Sequence, residues 1–359
     1  MYKFICKSVF RDISFDRARN TGIGSSWLVL KIFVLILLTA SCSRQVPQNG
    51  LLIAVSIPPQ EWFVSRIAGE KANVMVLAGP GQNPHNYEPG PKQIQSLVSA
   101  RAWILSGTEF EISLKPKIAA LFPNLLIVDG TEGVRFRMLA DHEHDDCDSD
   151  EHDHDGNHSL AAVDIHEHSS LELDRHTWLG RDPAKILAAH IRDTLSLLDE
   201  INAGYYSEQC ESLVREIDNE FDRLKIVLAP LAGRDVYVYH PSFGYFLDEF
   251  GIQQEAVETG GKEPGPRELS RLIEKLKKEE AAVLFVQTQF PSNAAKTVAD
   301  ITGMDLIPFD PLAQDWLLNI RHMGKALEKL ALEISGLNNQ GNSKQCFIIN
   351  AVSPDGTKP

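Results

Sequence analysis

LLIAVSIPPQEWFVSRIAGEKANVMVL, residues 51–77, sets the fold class. Its first six residues, apolar up to Ser56, form a run of the kind buried on both faces of a sheet. Over 59–69, Trp62, Phe63, Ile67 and Ala68 then fall on one face of a predicted helix. Residues 73–77 are a second apolar run. Strand, helix and strand within so short a stretch make a βαβ unit, which implies parallel strands.

The alternation continues outward from this unit. Helices are predicted near 91–100 and 110–121, and strands at 102–106 and 125–128, completing one α/β lobe. Two helical stretches follow, 183–198 and 203–228, the second long and amphipathic. A second series then begins, with strands at 235–239, 253–257, 282–286 and 305–308. Its helices are expected at 241–250, 266–279, 292–302 and near 315–334. The expected fold class is therefore α/β, with two lobes bridged by a long rigid helix. Each lobe is a mainly parallel sheet flanked by helices. The domain reading is a leader at 1–41, a spacer at 42–50, a first lobe at 51–182, a helical linker at 183–231, a second lobe at 232–336 and a loose tail at 337–359.

The N-terminus reads as an export signal. A basic stretch ends at Lys31, and Ile32 to Leu38 form an apolar run too short to span a bilayer. Thr39, Ala40 and Ser41 then precede Cys42, resembling a lipoprotein cleavage site whose cysteine carries the lipid, although Thr39 stands where leucine is usual. The chain of 359 residues has a formal charge of −14. Removing the leader's six basic and two acidic residues takes this to −18. Such a surface repels phosphate backbones, so nucleic acid is not an expected partner. Of five cysteines, Cys147, Cys210 and Cys346 remain beyond Cys6 and Cys42, and nothing in their spacing selects a pair; Cys210–Cys346 is one candidate.

Residues 141–168 break the α/β pattern with seven histidines (His142, His144, His152, His154, His158, His166, His168), eleven acidic residues and no Lys or Arg. This composition is expected to form a solvated loop able to bind metal loosely. Of the other five histidines, three sit at strand-to-helix junctions. His85 follows a strand and a Gly-rich loop, His176 lies just before the Asp182-Pro183 helix start, and His240 ends the run Val236-Tyr-Val-Tyr-His240. Asp310 follows the strand at 305–308. Ligands of open α/β sheets bind at the carboxyl ends of strands. Three imidazoles and a carboxylate form a four-ligand set suited to zinc, with manganese or iron as less favoured alternatives. Binding requires neutral imidazoles, so affinity is expected to fall below about pH 6.5. His190 and His322 lie inside amphipathic helices and read as structural or exposed.

These motifs resemble the substrate-binding proteins of zinc and manganese ABC importers. The matching segments are Pro84-His85-Asn-Tyr-Glu-Pro89, Gly107-Thr-Glu-Phe-Glu111, His176-Thr-Trp-Leu-Gly-Arg-Asp-Pro183, Tyr239-His240-Pro-Ser-Phe-Gly-Tyr-Phe246 and Asp310-Pro-Leu312. The stretches at 258–264 and 285–290 fit the zinc-type branch, as does the His-rich loop. The His176 motif carries two extra residues before its Asp182-Pro183 pair. The resemblance implies a metal site between the lobes, with His85 and His176 from the first and His240 and Asp310 from the second. It further implies an ABC permease and its ATPase as partners, Zn²⁺ (or Mn²⁺) as transported ligand, and a monomer outside the cytoplasm anchored through Cys42. Two rival readings stand beside it. A zinc enzyme lacks support, since there is no His-Glu-x-x-His and no nucleophile motif. A surface adhesin or metal-buffering lipoprotein without a transporter would look the same in sequence.

Overall fold

The computed structural model describes residues 50–139, 173–258, 265–278, 283–287, 289 and 293–335. The leader, Cys42, Cys147, the seven histidines of 141–168, and the tail with Cys346 lie outside these residues.

The first sheet holds β1 (Leu51–Val55), β2 (Ala72–Val76), β3 (Ala102–Leu105) and β4 (Leu126–Asp129). Its order is β2-β1-β3-β4, and every pairing is parallel. Helices α1 (Pro58–Ala68), α2 (Pro91–Ser96) and α3 (Glu109–Leu121) connect these strands. Two long helices follow, α4 (Arg181–Leu198) and α5 (Ala203–Val227). The second sheet holds β5 (Asp235–Val238), β6 (Gln253–Ala256), β7 (Val283–Val286) and β8 (Asp305–Pro308), in the order β6-β5-β7-β8, again parallel throughout. Its helices are α6 (Gly244–Asp248), α7 (Pro266–Lys278), α8 (Asn293–Thr302) and α9 (Trp316–Ile334). Both sheets thus share one order, and in each the chain reverses direction of travel beside the strand that opens the lobe. That reversal leaves a crevice at the carboxyl ends of the strands, where loops from both sides can meet a ligand. No helix of the described residues is long and apolar enough to cross a membrane.

Local chemistry explains how the first lobe presents its loops. Pro58 and Pro59 open α1, where their missing N–H groups cost nothing. Gln60, fully buried, accepts from Ser56 N at 2.8 Å and Ile57 N at 3.2 Å and donates to Ile104 O at 3.2 Å. One amide therefore ties the end of β1 to β3. Glu111 performs a matching task after β3: its carboxylate accepts from Ser106 N and Ser106 Oγ, each at 2.8 Å, and from Gly107 N at 2.7 Å. Gly107 turns there with φ of 85°, a conformation that glycine reaches without strain.

Three elements differ from the sequence reading. The helix expected over 241–250 is only Gly244–Asp248. The buried Gln287 accepts from His240 N at 3.1 Å and donates to His240 O at 2.6 Å and Ser242 Oγ at 3.0 Å, holding 240–242 as a turn instead. The helix near 91–100 breaks after Ser96 into a 3₁₀ turn at Leu97–Ser99. Helix α4 begins two residues before Pro183, capped by Gly180 in extended conformation. Proline in this first turn is tolerated because its N–H would have no helical partner.

One hydrophobic core runs through both lobes. It joins Ile53, Phe63 and Ile104 of the first lobe to Leu187 and Phe221 of α4 and α5, and to Phe246, Phe285 and Trp316 of the second. Trp316 stacks on Phe221 with centroids 6.4 Å apart and packs at 5.1 Å against Phe63 of α1. Cys210 is a free, buried thiol within α5, donating to Ala188 O at 3.6 Å.

Candidate metal centre

Each of three histidines reaches the crevice from a different kind of segment. His85 comes from the loop after β2, where its N–H donates to Asn83 Oδ1 at 3.0 Å. His176 caps the 3₁₀ turn Thr177–Leu179 that leads into α4. His240 follows β5, held by the Gln287 bonds described above. Their ring centroids lie 5.4 Å (His85–His176), 4.7 Å (His85–His240) and 5.2 Å (His176–His240) apart. One ligand atom from each lies within 4.8 Å of the others, the one such group among the described residues.

The ring nitrogens are sorted by carboxylates. Asp174 Oδ1 lies 2.8 Å from His176 Nδ1, Glu258 Oε2 lies 3.3 Å from His240 Nδ1, and Glu109 Oε2 lies 3.2 Å from His85 Nδ1. A carboxylate beside Nδ1 makes that nitrogen the N–H donor and leaves Nε2 as the lone-pair atom. Nε2 of His176 and Nε2 of His240 are 3.4 Å apart. With lone pairs on both, that approach is favourable when a metal ion or a single proton sits between them. Two nitrogens on one tetrahedral zinc at about 2.05 Å would be about 3.3 Å apart, so the observed spacing fits such an ion.

Burial and charge favour the same occupant. His240 is buried, and burial, followed by the neighbouring His176 and His85, pushes its pKa well below the usual histidine value, keeping the ring neutral. Burial pushes the Asp174 carboxyl up, but its hydrogen bonds with His176 and Arg137 outweigh it and hold the group below the ordinary value. Arg137 Nη1 sits 2.7 Å from Asp174 Oδ2, and Arg137 Nε 2.9 Å from Asp248 of α6. Glu109 follows the same balance, its burial offset by His85. The cavity beside the rings, lined also by Glu109 and Trp178, has a volume of about 20 Å³. That is room for one ion or water.

Asp310 follows β8 as expected but stands outside the three-histidine group. Its Oδ1 accepts from Gln289 Nε2 at 2.6 Å and Leu312 N at 2.9 Å. His190 lies in α4 with Nε2 2.9 Å from Glu132 O, and His322 is exposed on α9, away from the centre. The sequence reading did not assign Asp174, Glu109 or Glu258 to the site.

Residues 53–330 match the family described as "ZnuA: Zinc-uptake complex component A periplasmic". The chain belongs to the ZnuA family. The family read from the histidine motifs is thus the one that the match over residues 53–330 gives. Among relatives, it is 27% identical over 271 residues to the high-affinity zinc uptake system protein ZnuA of Yersinia pestis, covering 74% of this chain and 85% of that one. It is 26% identical over 296 residues to the zinc-binding lipoprotein AdcA of Streptococcus pneumoniae R6, covering 77% of this chain. The match spans about half, 53%, of that longer protein. A crystal structure of ZnuA superposes with a TM-score of 0.66 at 29% identity, covering 79% of this chain and 98% of that one. A ZnuA deletion mutant solved with zinc bound gives the same TM-score and identity. The ZnuA fold therefore accounts for the two parallel sheets and the long helix between them.

Proposed function

We propose that this protein captures Zn²⁺ outside the cytoplasm and delivers it to an ABC permease powered by its ATPase. The observation that carries the reading is the convergence of His85, His176 and His240, with ligand atoms within 4.8 Å of one another. In this reading the three Nε2 atoms bind the ion, and Asp174, Glu109 and Glu258 hold the rings. The ion is cargo and leaves unchanged, so the site does no catalysis. The printed names of the ZnuA and AdcA relatives support zinc as the cargo. Export by the 1–41 leader and anchoring through lipid on Cys42, as a monomer, complete the proposal. The acidic loop would raise the local metal concentration. Its flanks support this, because Met138 and Leu173 pair as an antiparallel bridge and Asp174 N donates to Arg137 O at 3.0 Å. The insertion therefore leaves and returns just beside His176.

The test is metal content and chelator competition on purified residues 43–359, beside His240→Ala and a variant lacking 141–168. One tight zinc is expected in the parent and the loop-deleted protein and none in His240→Ala. Tight binding that vanishes with the loop and ignores His240 would overturn the inter-lobe site.

A further inference from the structure

We propose that Glu109 is a positioning residue that holds the ring of His85 and thereby sets how slowly the metal leaves; this rests on the three-histidine reading above. The three ligands are unequally secured. The side chains of His176 and His240 are 8% and 7% exposed and lean on carboxylates that are 0% and 2% exposed. His85 is 30% exposed and comes from an irregular Gly/Pro/Asn loop. It is the ligand whose ring has least packing to fix it, and so the one through which a bound ion would escape first.

Glu109 is placed to restrain this ring. It is the first residue of α3, and the loop ahead of it is clamped by Glu111 through Ser106 and Gly107. Arg175 lies on its other side, with Nε 4.0 Å from Glu109 Oε1 and Nη1 donating to Gly107 O at 3.0 Å. The carboxylate is therefore held between Arg175 and His85, one oxygen toward each. Arg175 directly precedes His176, so the same guanidinium links the settings of two ligands. Partners that orient a metal-bound imidazole generally alter affinity by about 10–100-fold when removed.

The experiment compares the parent 43–359 protein with Glu109→Ala, Glu109→Gln and His240→Ala. Zinc dissociation is followed by stopped-flow mixing with a chromophoric chelator, Co²⁺ absorption bands are recorded at saturation, and melting is measured without metal. We expect Glu109→Ala to release zinc about 10–100-fold faster. Glu109→Gln, whose amide oxygen still accepts from Nδ1–H, should recover part of this loss. The melting point and the Co²⁺ band pattern should stay as in the parent, because the ligand set is the same. Parent-like release by Glu109→Ala, with zinc lost in His240→Ala, overturns this proposal alone. A changed band pattern in Glu109→Ala also overturns it, by making Glu109 a ligand. Zinc retained in His240→Ala overturns the three-histidine reading itself.

Discussion

Asp310 and His240 both stand at the carboxyl end of a strand, yet they are engaged differently. The His240 ring faces His176, whereas Asp310 stands outside the three-histidine group and its Oδ1 accepts from Gln289 and the Leu312 N–H. Asp310→Ala should therefore weaken zinc binding by no more than the about 10–100-fold typical of an outer partner, and His240→Ala by far more. Competition titrations of both variants against one chelator decide the matter; equal losses would put Asp310 on the ion. The three converging histidines were legible because they share strand-to-helix junctions of an α/β chain, where ligands gather. Their carboxylates were not. An acid at the start of a helix is ordinary helix chemistry, so Glu109 carried no signal by type. Glu258 meets His240 only because β5 and β6 are neighbours in the sheet. Asp174 was the one findable partner, two residues from His176 and bonded to both its backbone and its ring.

Helices α4 and α5 meet along a charged seam, which gives the next prediction. Arg181 Nε and Lys185 Nζ lie 2.8 and 3.0 Å from Asp218 Oδ1, and Arg181 Nη1 lies 2.8 Å from Asp222. Burial pushes the Asp218 carboxyl up, but the bonds and charges of Arg181 and Lys185 outweigh it, so its pKa is lowered. The unfolded chain then takes up a proton at this site before the folded one does. The stabilisation is fully present above the unfolded value of about 3.9 and is lost as pH falls through the folded one. Asp218→Asn should therefore lower the urea midpoint at about pH 6, by a gap that shrinks as pH falls below about 3.9. A gap that stays constant with pH would show that the seam acts through packing alone. Element order was legible throughout, because each run kept its period. The helix at 241–250 was overestimated because its first turn is taken by Gln287, 47 residues away, which no local pattern reveals.

The lobes are fastened together rather than hinged, and this limits what metal binding can do to the molecule. Trp178 Nε1 donates to Pro311 O at 2.7 Å, and Trp316 Nε1 donates to Trp178 O at 2.6 Å, so two buried indoles stitch the first lobe's crossover to the second lobe's last loop and helix. Gln314 Nε2 reaches Glu61 of α1 at 2.8 Å, and Arg137 joins Asp174 to Asp248. Helix α9 lies so close on α5 that a Cβ on Gly324 would collide with the Leu224 methyls. Closing such a structure by several ångströms would mean repacking Trp316 among Phe63 and Phe221, and close-packed interiors resist that kind of shift. Adding one ion is therefore expected to move the loops that carry His85 and Glu109, not the sheets. Small-angle scattering of 43–359 with zinc and after chelation should give radii of gyration that agree within error. Exchange of amide hydrogens should slow around 79–90 and 107–111 and stay unchanged in α5 and α9. A clear drop in radius on zinc addition would mean that the shared core opens and closes, and that recognition by a permease could read lobe closure instead of loop order.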